Sequence, residues 1–466
     1  MQTASAHDLA DRPDRLPLRT KLGFGVGDLG GNLFFTIIGF YLLSYLTDSF
    51  GLAAGAAGTA VALGRIWDAI TDPAVGYLSD RTRTRWGRRR PYMATGAVFL
   101  FIFMIFMFTN PGITSSAGRF AYALVMYCLL NTAYTLVNIP YGSLTPELTS
   151  DFDERTTLNG FRMSFAVVGT LVGAGSVLPL VGLFGGEPTG WTITAAIMGA
   201  IMATVTFITI LSVKEQLGAP LQEKVNIFRS YFQVIRQKPF YTVLLTYAMH
   251  MTGIGIVQAS LIYYFRNVYQ AEDQFVIALL CLLVTCLILI PVWVKISRSI
   301  GKKLAYNIGM GIFATVVIVF FFVGNQLPIW FGFLTFTVAG IGLSTNYVMP
   351  WSLVPDAVEY DFAENGRRRE GVFYGLWTFS SKIGSALGLG LTGWVLAAFN
   401  YIEPALVETT PVQPDSAILG IRLLVGPVPA IFFIGGITML SFYPITREVY
   451  QEIMRKAAAR EAAADE

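Results

Sequence analysis

Apolar residues run along this chain in blocks of about twenty, separated by short polar stretches, from residue 22 almost to the end. A helix of about twenty apolar residues covers the roughly 30 Å of a bilayer's hydrocarbon core, so each block reads as a membrane-crossing helix. The blocks fall at 22–47, 56–79, 92–109, 119–141, 161–184, 190–213, 239–265, 273–296, 304–323, 329–354, 371–398 and 421–443. Together they predict an all-α membrane protein of twelve transmembrane helices. The division is a tail (1–20), an N-terminal six-helix bundle (21–213), a charged central loop (214–238), a C-terminal six-helix bundle (239–446) and a second tail (447–466). The first block is too long for a signal peptide and lacks a small-residue cleavage pattern, so residues 1–20 read as a cytoplasmic tail.

Composition agrees with the pattern. Of 466 residues, 54% are hydrophobic and only 14% charged, against about 25% charged in soluble domains. The 46 glycines suit close helix–helix approach rather than a β-barrel. Cys128, Cys281 and Cys286 lie in apolar blocks, with neither metal-site spacing nor a disulfide framework. Charge is informative through its placement. Arg81, Arg83, Arg85, Arg88, Arg89 and Arg90 crowd one loop, and Lys295, Arg298, Lys302 and Lys303 cluster near another. The loops near 48–55, 109–118, 185–190 and 324–328 hold no Lys or Arg. Basic residues collect on the cytoplasmic side, which puts both termini inside.

The two bundles echo each other. Pro140-Tyr141-Gly142-Ser143-Leu144-Thr145-Pro146-Glu147 closes the fourth block, and Pro350-Trp351-Ser352-Leu353-Val354-Pro355-Asp356 closes the tenth. Gly87-Arg88-Arg89-Arg90 has its counterpart in Gly301-Lys302-Lys303. Repeated halves are how many secondary transporters build alternating access around a midplane site. Arg88 and Arg89, with Glu147, Asp356 and Glu364, are candidate gating residues whose ion pairs would latch one face. The plainer reading is that such arginines set topology and bind lipid head groups.

Charged groups inside membrane helices cost several kcal/mol and usually face a protein interior or a water-filled path. Asp68 and Asp72 lie one turn apart on one helix face, with Arg65 a turn earlier, and make a candidate cation or proton site. In the first block Gly25, Asp28, Asn32 and Thr36 share a face, which makes Asp28 a third candidate. Asn131, Tyr134, Thr135 and Asn138 form a stripe in the fourth, ending where Pro140 is expected to disturb the helix. Arg162 begins the fifth. Lys382, among small residues of the eleventh, needs a carboxylate or carbonyl partner at that depth. Tyr347 and Trp351 share a face of the tenth block and Trp377 lies in the eleventh, rings that can stack on the apolar face of a sugar. His250 reads as a hydrogen-bonded structural histidine. With His7 in the tail, the chain has no histidine cluster, and an enzyme reading is poor.

The strings Gly64-Arg65-Ile66-Trp67-Asp68-Ala69-Ile70-Thr71-Asp72-Pro73, Arg85-Trp86-Gly87-Arg88-Arg89-Arg90-Pro91 and Asn138-Ile139-Pro140-Tyr141-Gly142-Ser143-Leu144 carry a resemblance. They resemble the glycoside–pentoside–hexuronide:cation symporters of the major facilitator superfamily, along about 21 to 450. The resemblance implies the major facilitator fold, with twelve helices in two pseudo-symmetric six-helix bundles. It also implies symport of a sugar or glycoside with H+ or Na+, in a multi-pass protein of the bacterial inner membrane. The family's cation-binding acids match Asp68 and Asp72, which would be the metal ligands if the ion is Na+. Its sugar-contacting arginine matches Arg162 and its functional lysine matches Lys382.

Two departures follow from the same match. The family's melibiose-carrying branch has aspartates where this chain has Asn32 and Asn138, and a tryptophan where it has Gly142. The expected cation group is thus Asp68, Asp72, Asp28 and Asn138. The expected substrate group is Asn32, Tyr134, Asn138, Arg162, Tyr347, Trp351 and Lys382. No cofactor beyond the coupling ion is implied. The partners are a glycoside and membrane lipid, without nucleic acid, and the chain is expected to work as a monomer. Carriers of lysolipid on a similar scaffold leave an amphiphilic substrate as the alternative.

Overall fold

In hydrocarbon every backbone N–H and C=O needs an internal partner, and apolar runs therefore settle as helices. In the computed structural model the described residues are almost all helical, with one isolated bridge between Thr84 and Gly87. Those residues are 16–149, 152–186, 188–213, 227–366, 369–406 and 411–465; side chains of 69, 146–147, 152–153, 155–156, 227–230 and 461–465 fall outside the description. Most of the first tail and of the central loop therefore lies outside it.

The principal helices are α1 (Leu18–Gly25, continued by Gly27–Phe40), α2 (Ala54–Arg81), α3 (Arg90–Met107), α4 (Ser116–Leu148), α5 (Phe152–Leu183) and α6 (Thr189–Ser212). They are followed by α7 (Lys238–Asn267), α8 (Phe275–Ile300), α9 (Lys302–Val323), α10 (Ile329–Asn365), α11 (Glu370–Ala398), α12 (Asp415–Val425, continued by Pro427–Ser441) and α13 (Arg447–Asp465). Among the described residues, 10 helical stretches are long and apolar enough to cross a membrane. The remaining two long helices, α2 with 28 residues and α11 with 29, are not in that set. They carry Arg65, Asp68, Asp72 and Lys382, and charge lowers their mean hydropathy.

Three expectations about helix ends are corrected. The fourth helix does not stop near Pro140 but continues to Leu148, and the tenth passes through Pro350 and Pro355 to Asn365. Proline removes one backbone donor and crowds the carbonyl four residues back, a defect that side-chain hydroxyls and neighbouring helices absorb in membrane helices. The fifth helix starts at Phe152, so Arg162 stands about three turns inside it rather than at its head.

The chain separates into two compact units, Met1–Ile37 with Ile70–Asn110 and Met126–Gln222, and Ile38–Ala69 with Pro111–Val125 and Glu223–Glu466. In the first, Phe24, Met93, Tyr141, Leu144, Leu158, Ile210 and Val213 form a buried core. Glycine lets α1 and α5 touch: a Cβ on Gly169 would lie 2.3 Å from the Leu29 carbonyl oxygen. In the second, a Cβ on Gly384 or Gly388 would lie 2.5 Å from the carbonyl oxygens of Ala248 and Thr252, so α7 and α11 meet backbone to backbone. Small residues at such crossings replace the hydrophobic drive that lipid cannot supply.

The second unit also contains the end of α1 and the start of α2. After Phe40 the chain kinks into a π-helical turn, Tyr45–Ser49, which buries Asp48 at 3% exposure. Asp48 accepts from Thr47 at 2.7 Å and from Tyr401 at 3.0 Å, and pairs with Arg266, which also donates to Glu272. Beside it, Glu403 accepts the Ala54 amide at 2.7 Å and Trp394 donates to Thr59 at 2.9 Å. His250, fully buried, shares hydrogen bonds with the Tyr306 hydroxyl at 2.7 Å and the Phe433 carbonyl at 3.3 Å, and Tyr306 donates to Asn346 at 2.7 Å. This is the hydrogen-bonded histidine that the sequence suggested.

Candidate substrate and coupling sites

The polar stripe of α1 meets the C-terminal part of α4 and the N-terminal part of α5 in a tight cluster. Arg162 donates through Nε to Asp28 Oδ2 at 2.6 Å and through Nη2 to Oδ1 at 3.3 Å. Tyr141 donates to the same Oδ2 at 2.7 Å, and Arg162 Nη1 reaches Thr145 Oγ1 at 3.1 Å. The Asp28 carboxylate, the Arg162 guanidinium and the Tyr141 phenol are thus one hydrogen-bonded set. A Cβ on Gly27 would sit 2.7 Å from the Tyr141 ring, and one on Gly25 3.1 Å from the Phe161 backbone. Glycine at these places lets α1 come near enough for the short Asp28 side chain to reach α5.

A recess opens beside this set, lined by Gly27, Asp28, Gly30, Gly31, Tyr134, Asn138, Tyr141 and Thr206 among others. Its interior of about 10 Å³ has room for about one water or one hydroxyl group. Tyr134 is held rigidly there, stacked on Phe34 at 4.3 Å. Asn32 does not line it; its amide donates to the Asp28 carbonyl at 2.9 Å. Of the sequence-derived substrate group, Tyr134, Asn138 and Arg162 are therefore brought together around Asp28.

On α2 the two acids have separate partners. Asp72 accepts from Thr135 of α4 at 2.9 Å. Asp68, 2% exposed, lies 3.4 Å from Lys382 Nζ of α11. The carboxylate that Lys382 requires at this depth is Asp68. Arg65, one turn earlier, is 5% exposed. No group of three or more His, Cys, Asp or Glu able to hold a metal occurs among the described residues. Tyr347 and Trp351 of α10 are each 50% exposed. Trp351 meets Trp377 edge-on at 6.1 Å, and Trp377 stacks on Tyr247 at 4.1 Å, which adds Tyr247 to the aromatic set.

The candidate gating residues pair within each sequence half. Arg89 donates to Asp80 at 3.1 Å and to the Ser143 carbonyl, while Arg88 is half-buried. Asp356 is held by Lys302 at 2.7 and 2.8 Å, and Glu364 by Lys456 at 3.8 Å. The Glu147 side chain lies outside the described residues. Sequence reasoning missed Asp48, which follows the first apolar block and reads there as loop. A carboxylate one residue past an apolar run was the available signal. Tyr141 stood inside the quoted Asn138–Leu144 string without a role of its own, Arg266 follows the seventh apolar block as Asp48 follows the first, and nothing near Tyr247 sets it apart from ordinary helix residues.

The helical fold is that of the major facilitator transporters. A solved structure of a proton-dependent oligopeptide transporter matches it with a TM-score of 0.67 at 13% identity, over 93% of this chain and 99% of that one. The chain belongs to the MFS/sugar transport protein family, whose pattern it matches over residues 23–447. It is a membrane transporter and not an enzyme. An uncharacterized symporter of Synechocystis, sll1374, is 32% identical over 96% of this chain and 98% of its own length. The putative glycoside/cation symporter YagG of Escherichia coli is 30% identical over 97% of each chain. The glucuronide carrier protein homolog of the same organism is 31% identical over 94% of this chain and 95% of its own. The sphingosine-1-phosphate transporter MFSD2B of Xenopus tropicalis is 25% identical over 95% of this chain and 91% of its own.

Proposed function

We propose that the protein is a sugar or glycoside symporter driven by protons through Asp68. The observation that carries the reading is the Asp68–Lys382 pair, 3.4 Å apart between α2 and α11. At an effective dielectric of about 20, opposite charges at this distance attract by about 5 kcal/mol. A proton on Asp68 removes that attraction and frees Lys382, so loading the carboxylate and loosening α11 from α2 are one event. Asp72, one turn along the same helix and bonded to Thr135 of α4, carries the change toward the helix that bears Asn138. A sodium ion prefers several hard oxygen ligands; a proton needs one carboxylate.

The Asp28–Arg162–Tyr141 set, with Tyr134 and Asn138, supplies donors and acceptors for sugar hydroxyls. The relatives named for glycosides and glucuronides favour this substrate class over the lipid class of the vertebrate relative, and buried amides and carboxylates suit a hydrated cargo. Asp68→Asn should abolish uphill accumulation of a labelled glycoside in vesicles while leaving exchange of internal for external glycoside intact. Full accumulation by that variant refutes the assignment.

A further inference from the structure

We propose that Asp28 is a specificity-determining residue that tunes this transporter to uncharged glycosides and against uronates, an inference that rests on the sugar-transport reading above. An arginine selects a carboxylate when its planar fork is free to bind two oxygens. Here Asp28 already occupies the Nε and Nη2 side of the Arg162 fork, at 2.6 and 3.3 Å, and Thr145 takes Nη1. The acid and the base sum to no net charge, with side chains 14% and 18% exposed. The contact is set by close helix packing: a Cβ on Gly25 or Gly169 would press on the backbone of Phe161 or Leu29, and one on Gly27 on the Tyr141 ring. Asp28 is further fixed by the Tyr141 hydroxyl at 2.7 Å.

A sugar hydroxyl entering the adjoining recess meets the Asp28 carboxylate, whose charge Arg162 balances, and can donate to it. A substrate carboxylate in the same place meets Asp28 as a like charge and finds the arginine's side fork taken. It must displace Asp28 and leave that acid without its arginine partner. Rejection of the wrong ligand through a repulsive group already in the site is a recognised route to specificity.

The test uses p-nitrophenyl β-glucoside against p-nitrophenyl β-glucuronide, and the galactoside against the galacturonide. Each pair differs only by a hydroxymethyl group in place of a carboxylate. Binding of both members to the purified full chain is measured for the unaltered protein and for Asp28→Asn. The unaltered protein should bind the neutral member at least tenfold more tightly. In Asp28→Asn the charge opposing Arg162 is gone, and the preference should fall at least tenfold or reverse. A uronide bound as tightly as its neutral twin by the unaltered protein overturns the inference, with or without a folded variant. An unchanged ratio in a folded Asp28→Asn overturns it too. Binding of none of the four sugars sinks the sugar reading itself, and this inference with it.

Discussion

Arg266→Met should destabilise the protein more than any single change at its exposed surface, because it strands the Asp48 carboxylate. Asp48 is 3% exposed and takes hydrogen bonds from Thr47 at 2.7 Å and Tyr401 at 3.0 Å besides its ion pair. Removing one partner of a buried pair costs about 3–5 kcal/mol. Arg266 keeps 20% of its side chain exposed and the hydroxyls of Thr47, Tyr401 and Ser44 remain, so the loss should fall at the lower end, about 3 kcal/mol. Asp48→Asn in the same chain removes the stranded charge while keeping an acceptor for Tyr401. The double variant should therefore regain more than half of the loss. The assay is unfolding in detergent followed by tryptophan emission, for the two single variants and the double, so that the coupling is read from the cycle. An Arg266→Met protein as stable as the parent, or a double variant that is merely the sum of the singles, refutes the idea that this pair fastens the end of α1 to α7.

Two further outcomes are expected. Gly393→Leu should weaken or prevent folding, since its Cβ would lie 2.4 Å from the Ala54 carbonyl oxygen and 2.6 Å from Gly58 Cα, and backbone cannot yield as a side chain can; Gly182→Leu, with nothing within 4 Å, is the control, and equal melting of the two variants would contradict the close packing of α2 on α11. At the start of α13 the Thr446 hydroxyl donates to Glu448 at 2.7 Å and holds that carboxyl below the usual carboxylate range. A depressed value stabilises the folded form at higher pH, and the contribution is lost as pH falls through that value; Thr446→Val should move the Glu448 titration back up, read by NMR of labelled carboxyl carbons, and no movement would assign the shift to another cause.

The helices were legible in the sequence because hydropathy reports on a whole segment. Ten of the stretches have the length and apolarity that crossing requires. Helix ends were read less well, since proline is a poor stop signal in membrane helices, as at Pro140 and Pro350. Asp68 and Lys382 each stood out as a charge in the wrong solvent, and their pairing answers the need that each expressed alone. The Asp28–Arg162 pair was harder to foresee. Both residues were visible as candidates, but their contact depends on α1 pressing against α5 at Gly25 and Gly169, a tertiary approach that spacing along one helix does not encode. Asp48 and Arg266 lie 218 positions apart, and no local pattern links them.

The coupling claim is tested most directly by uptake of a labelled neutral glycoside into vesicles containing the purified protein, under an imposed proton gradient, an imposed sodium gradient, or none. Accumulation above the external concentration with the proton gradient, abolished by a protonophore and absent with the other two, is the result expected from proton loading of Asp68. Uptake that only equilibrates under all three conditions, or that accumulates with sodium alone, contradicts it.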